Sequence, residues 1–188
     1  QIKSTVNARR LPNVYLLHGE FSDEEMNSIY NHSKVKAMVS LTKGEGFGRP
    51  LLEFSLTKKP ILATNWSGHI DFLNSEFTTL INGELKNVDD SAVVKDMILK
   101  ESQWFSPNSG EIGHYLKDMF ENYKKYAELG KRQAHYSKTN FSWEKMDEML
   151  NAYLDKNIPE FPKQVKLQLP KLKKIELPKK KEVAIKES

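Results

Sequence analysis

Cysteine is absent from the 188 residues, which excludes a disulfide framework and any thiolate metal site. Equally absent is an apolar run of 18 or more residues, the minimum for a membrane-crossing helix. The opening QIKSTVNARR lacks the apolar stretch of a secretory signal. A cytoplasmic place, at most peripheral to a membrane, is therefore the expectation. Histidine is sparse: His18, His32, His69, His114 and His135 show neither i, i+4 pairing nor a neighbouring carboxylate pattern. No metal site is expected from them.

What is present suffices for a core, since 38% of the residues are hydrophobic and nine Phe, seven Tyr and three Trp occur among them. The net charge of +4 is unevenly spread. Residues 156–188 hold ten Lys against four Glu, a balance of +6, so the 155 residues before them carry −2. The basic character belongs to a tail, and nucleic acid is not the expected partner of the rest. Within the tail, EFPKQVKL, QLPKLKKI and ELPKKKEV are three copies of an eight-residue unit spanning 160–183. Proline at every eighth position excludes a continuous helix. Either a solvated Lys-rich segment or an extended arm docked on its own or a partner's surface fits this pattern. The sequence thus divides into a domain over 1–155 and a Lys-Pro repeat tail over 156–188.

Three short apolar runs, Val14–Leu17, Ala37–Leu41 and Pro60–Thr64, each lead into a glycine-containing turn and read as buried parallel strands. Between the first two, Ser22 followed by Glu25 is a capping-box pattern ahead of Met26, Ile29 and Tyr30 at helical spacing. After the second, Pro50 suits a first helical turn, with Leu52 and Leu56 on one face. A further strand is expected at Thr78–Ile81, with helices over Ser91–Lys100, over Ile112–Leu129 stopped by Gly130, and over Trp143–Asp155. Met146, Met149, Leu150 and Tyr153 of the last lie at core spacing, as do Tyr115, Leu116, Met119, Phe120 and Tyr123. Alternating strands and helices predict an α/β fold with a doubly wound parallel sheet.

The informative stretch is KGEGFGRPLLE, residues 43–53. At a strand-to-helix junction it lies where parallel sheets bind ligands. Gly44, Gly46 and Gly48 let backbone approach a ligand closely, the Leu51 and Leu52 amides can face phosphate oxygens, and Arg49 adds positive charge. A carboxylate beside phosphate is unfavourable, so Glu45 and Glu53 suit hydroxyl groups instead, those of a sugar or a ribose. Ser67, Gly68 and His69 belong to the next strand-end loop and face the same cleft. His69 fits a loop cap and an acceptor contact equally well. Arg49 could equally pair with a neighbouring carboxylate.

Seven residues separate Glu45 from Glu53. With the preceding AMVSL and the following PILAT and SG, the stretch resembles the Glu-x7-Glu signature of GT-B glycosyltransferases, particularly the GT4-type retaining family. The likeness covers about residues 11–82, and FSWEKMDEMLNAY is similar to the family's terminal segment. It implies a Rossmann-like, donor-binding C-terminal half and a hexosyl-type transfer from a UDP- or GDP-linked nucleotide sugar, without a metal or other cofactor. The acceptor could be a glycan, a lipid or a protein. Carried over by position, Glu45, Gly46, Phe47 and Gly48 would line the donor-sugar pocket. Arg49, Leu51 and Leu52 would hold the diphosphate, Glu53 the ribose, and Gly19, Glu20 and Phe21 would lie near the base. Ser67, Gly68 and His69 would be on the acceptor side.

The family's phosphate-binding Arg and Lys, and its acceptor-binding N-terminal half, have no counterpart in this sequence, so a partial chain is expected. The family usually has glycine where this chain has Lys58, which implies either a residue with a Cβ in a strained conformation or a helix that ends differently. A non-catalytic nucleotide-binding or partner-binding module, and an interaction protein tethered through its basic tail, are the alternatives. Trp104, Phe105 and Pro107 read as an aromatic loop, given to core packing ahead of an acceptor or partner surface.

Overall fold

The computed structural model describes residues 12–159. Strands β1 (Met38–Ser40), β2 (Ile61–Thr64) and β3 (Thr79–Ile81) form a parallel sheet in that order. Met38 stands opposite Ile61, and Leu62 opposite Thr79. Helices α1 (Asp23–Asn31), α2 (Arg49–Ser55), α3 (Ser109–Glu121), α4 (Tyr123–Asn140) and α5 (Trp143–Asn157) accompany it. Between β3 and α3 the chain makes an antiparallel ribbon of β4 (Gly83–Asn87) and β5 (Gln103–Pro107). This is the α/β, Rossmann-like arrangement that the alternating pattern predicts.

Every residue of β2 is buried, because successive side chains of the middle strand enter opposite layers. Ile61 and Ala63 join Leu51 and Phe54 of α2 with Phe72 and Leu73. Leu62 joins Ile81 of β3, Met119 of α3 and Tyr126 of α4. Helix α1 begins with the expected capping box: the Glu25 amide donates to Ser22 Oγ, and the Ser22 amide to Glu25 Oε2. Its C-terminal carbonyls are gathered by Lys59 Nζ, which donates to Tyr30 O and, at 2.9 Å, to His32 O. Burial there pushes the Lys59 pKa down, with Lys36 adding to the effect.

The polar centre of the packing is Gln133, 2% exposed. Its Oε1 accepts from the Asn74 amide and from Thr78 Oγ1, both at 3.0 Å. Its Nε2 donates to Phe72 O at 2.7 Å and to Ser137 Oγ at 2.9 Å. Ser137 Oγ then lies 2.8 Å from Ser55 Oγ, and Ser55 Oγ donates to Leu52 O at 2.6 Å. Helix α4 is thereby fastened to α2 and to the turn between β2 and β3.

Several expectations are corrected. Val14–Leu17 forms no strand: its side chains are 57–87% exposed, and the outer edge of β1 has no ladder partner among the described residues. An apolar run becomes a parallel strand only where a neighbour supplies hydrogen bonds and both faces are covered. Ser91–Lys100 is not a helix. Asp89 Oδ1 takes the Ser91 amide at 2.9 Å, a single 3-10 turn follows at Asp90–Ala92, and Val93 is already extended. Asp96 then turns with φ 62°, closing a Val94–Ile98 bridge. The segment over Ile112–Leu129 is two helices, broken at Asn122 (φ −116°, ψ 36°).

Gly130 does not stop a helix but sits inside α4, because a Cβ there would come within 2.7 Å of the Lys59 carbonyl carbon. WFSP is strand β5, with Phe105 buried as core and Trp104 under the Lys43 ammonium, 3.6 Å from the ring centroid. In the α3 stripe only Met119 is fully buried, and Phe120 points outward. On α5 the expected core residues Met146, Met149, Leu150 and Tyr153 are all exposed. The repeat at 160–183 lies outside the described residues.

Lys58 adopts φ 64° as α2 ends, the left-handed conformation that costs an L residue about 1–2 kcal/mol. Glycine would remove that strain but lose about 0.5–1 kcal/mol to its freer unfolded chain. Lys58→Gly is therefore expected to stabilise the protein by about 0.5–1 kcal/mol in urea unfolding. Gln133→Ala should destabilise it by about 1–3 kcal/mol in the same measurement, because the Asn74 amide and the Thr78 hydroxyl would stay buried without a partner.

Candidate functional site

The loop from β1 to α2 and the loop after β2 leave the same edge of the sheet and are stapled together. The Glu45 amide donates to Ser67 Oγ at 2.7 Å, and Ser67 Oγ donates back to Glu45 O. Glu45 O also accepts from the Gly68 amide at 3.1 Å. The approach is so close that a Cβ on Gly68 would lie 2.0 Å from Gly46 O. Ser67 itself is bent to φ 82°. The backbone of Glu45 is thus held on both sides while its half-buried side chain makes no hydrogen bond or ion pair with the described residues. Gly48, with φ 85°, begins α2, and its missing side chain leaves room for His69, whose Cβ would be 3.0 Å away.

The start of α2 differs from the expectation. The Leu51 and Leu52 amides already donate to Gly48 O, at 2.9 and 3.3 Å, which closes the first helical turn. Among the described residues the amides of Gly46, Phe47, Gly48 and Arg49 make no such donation, so the open donors lie one turn earlier, in the loop. Arg49 pairs with carboxylates: its Nε is 2.8 Å from Glu53 Oε1, and its terminal nitrogen is 3.9 Å from Asp23 Oδ1. Arg49, Glu53 and Asp23 then line a cavity of about 440 Å³ between α1 and α2, with Tyr30 and Asn27 among its walls. Burial pushes the Tyr30 pKa up, and the Glu53 carboxylate adds to it.

The remaining sequence-predicted residues are divided. Gly19, Glu20 and Phe21 lie exposed ahead of α1, Gly19 with φ 148°, and do not line this cavity. His69 is fully enclosed, with Nε2 2.6 Å from Thr64 O and Nδ1 without a partner. It caps the β2 loop from inside rather than facing the cleft. Ser67 and Gly68 serve as the staple on Glu45. Phe47 packs on Phe72, ring centroids 5.1 Å apart. Asp23, Tyr30 and Trp66 were not singled out from sequence as site residues. Only the long-range pairing of α1 with α2 brings the first two in.

A family model for glycosyl transferases of group 1 matches residues 1–103. The chain belongs to this family. Its fold and its membership agree with the expected Rossmann-like glycosyltransferase domain, and glycosyl transfer is the general activity. No curated protein matches the chain. Among the described residues no helix is long and apolar enough to cross a membrane.

Gly68→Ala is expected to push the Glu45 loop out of place and to cost about 1–3 kcal/mol in unfolding free energy, the usual range for an overpacked site. Gly46→Ala, where nothing lies within 4 Å of the added carbon, should cost well under half as much. Equal losses in urea melts would contradict the staple.

Proposed function

We propose that this glycosyltransferase domain binds a nucleotide sugar, UDP- or GDP-linked, through the stapled loop and α2, and that transfer proceeds with retention at the anomeric carbon. The observation that carries the reading is the fixed Glu45 backbone beside a run of undonated amides, with Arg49 and Glu53 one helical turn further on. Residues Gly46 to Arg49 offer N–H groups to the diphosphate, and the Arg49 guanidinium adds a charge-assisted bond. The Leu51 and Leu52 amides act indirectly, by shaping the turn. Glu45 accepts from donor-sugar hydroxyls and Glu53 from the ribose, which the cavity beside α1 can receive along with the base.

In the transfer, the bond from the anomeric carbon to the diphosphate oxygen breaks as one to the acceptor oxygen forms. The acceptor proton passes to the departing diphosphate. The amides and Arg49 stabilise the charge that develops on the leaving group. No nucleophile is assigned to Glu45 or Glu53, and no metal is needed in this scheme. The domain over 1–155 would be the donor-binding half, meeting an acceptor-binding half elsewhere, with 156–188 as an appended arm.

Titration calorimetry with UDP and GDP tests this in the chain carrying its upstream half. One of the two should bind saturably, and Glu53→Ala should weaken it about 10- to 100-fold, the loss of a hydrogen bond to a charged group. Glu45→Gln should leave nucleoside diphosphate binding nearly unchanged and cut transfer. Absence of saturable binding by both nucleotides would overturn the proposal.

A further inference from the structure

Trp66 is the residue of the cleft that neither the motif nor the core accounts for. It sits in the loop at the carboxyl end of β2, one residue before Ser67, whose hydroxyl holds the Glu45 backbone. Its indole lies flat on the Phe105 ring, with centroids 5.8 Å apart and planes 3° from parallel. Phe105 is buried and belongs to β5, and its amide donates to Lys43 O at 3.3 Å. The hairpin is thus tied to the Glu45 loop, and the plane of Trp66 is set by a buried anchor. Even so, Trp66 remains 40% exposed. Beside it, Asn65 Nδ2 meets Asn82 Oδ1 at 3.2 Å, and the Asn65 amide bonds to Ile81 O at 2.8 Å. Both carboxamides are exposed, one on the residue before Trp66 and the other at the end of β3.

We propose that Trp66, stacked on Phe105, with the paired carboxamides of Asn65 and Asn82 at the ends of β2 and β3, is a stacking platform for a saccharide acceptor beside the donor-sugar pocket of Glu45. It rests on the donor-site reading above and adds the acceptor's chemical class. The polarised C–H bonds along one face of a pyranose are attracted to the negative face of an aromatic ring. The equatorial hydroxyls then point sideways, where amide groups can both donate and accept. A ring fixed in advance loses little conformational freedom on binding. A nucleobase could also stack on indole, but the cavity beside α1 argues against it. Glu53 and Arg49 line the cavity between α1 and α2, and neither Trp66 nor any residue of the hairpin lines it. A donor laid from sugar at Glu45 to ribose at Glu53 ends in that cavity. The exposed hairpin, whose β4 residues are all on the surface, acquires a role as the prop for this ring.

The test uses saturation-transfer NMR on the chain with its upstream half, with maltose, cellobiose, lactose and diacetylchitobiose as probes and with UDP or GDP present. At least one disaccharide should receive saturation on its ring C–H protons. Trp66→Ala should weaken that binding at least tenfold, Trp66→Phe should retain most of it, and nucleotide affinity should be unchanged in both. Thermal melts of the two variants show whether the loop still folds; if Trp66→Ala is unstable, the ratio of Trp66→Phe to Phe105→Leu decides, the latter tilting the ring and losing the disaccharide. Nucleotide binding without disaccharide binding would overturn the platform alone. Weaker nucleotide binding in Trp66→Ala would overturn it in favour of a base contact. Failure of both ligands would overturn the donor-site reading as well.

Discussion

The four hydrogen bonds of Gln133 hold together everything that the site depends on. A buried carboxamide with all its partners satisfied joins α4 to the turn between β2 and β3, and the relay through Ser137 and Ser55 carries the connection to Leu52 O of α2. Leu51, Phe54 and Ser55 make the inner face of α2. The Gln133 relay holds that face by directional bonds, where apolar contact alone would permit it to slide. Arg49 and Glu53 lie on the other side of the same short helix, so their position over the cleft is set from behind.

The front of the site is fixed by a different means. Ser67 and Gly68 hold the Glu45 carbonyl and amide, and no side chain fits between Gly68 and Gly46. Left-handed backbone at Ser67 and Gly48 gives the two loops the bends that this approach requires. Strain of that kind persists where surrounding contacts over-determine it. The buried His69, bonded to Thr64 O beneath the loop, is part of that surround. The result is a loop whose undonated amides are fixed in place before any ligand arrives, the condition under which electrostatic stabilisation costs least reorganisation.

The sequence was legible where local chemistry and tertiary structure ask for the same thing. The Ser22–Glu25 box, Pro50 at a helix start and the apolar runs at 37–41 and 60–64 each have a local cause that the fold keeps. It misled where a pattern reports amphipathicity without saying what covers the face. Val14–Leu17 is apolar yet has no ladder, and the α5 stripe keeps helical spacing while standing in solvent. Gly130 looked like a stop because glycine usually ends helices, but the close passage of the Lys59 backbone was invisible in one dimension. The same holds for the site. The spacing of Glu45 and Glu53 could be read directly. The capture of the Leu51 and Leu52 amides by Gly48 O could not, nor the arrival of Asp23 and Tyr30 from α1.

The exposed pairing of Arg49 with Glu53 follows from these constraints and is compatible with the proposed binding role. The guanidinium is 74% exposed and the carboxylate 42%, so solvent screens the pair and it contributes about 0–1 kcal/mol to stability. A hydrogen bond from Arg49 to a phosphate, or to Glu53 from a ribose hydroxyl, is worth about 1.5–3 kcal/mol because one partner is charged. On the proposed reading, each group would therefore gain more from a nucleotide than it gives up by parting from the other. Position sets the division of labour, since both side chains leave one helical turn whose inner face is locked by Ser55. A ligand can exchange their partners without moving the helix that carries them.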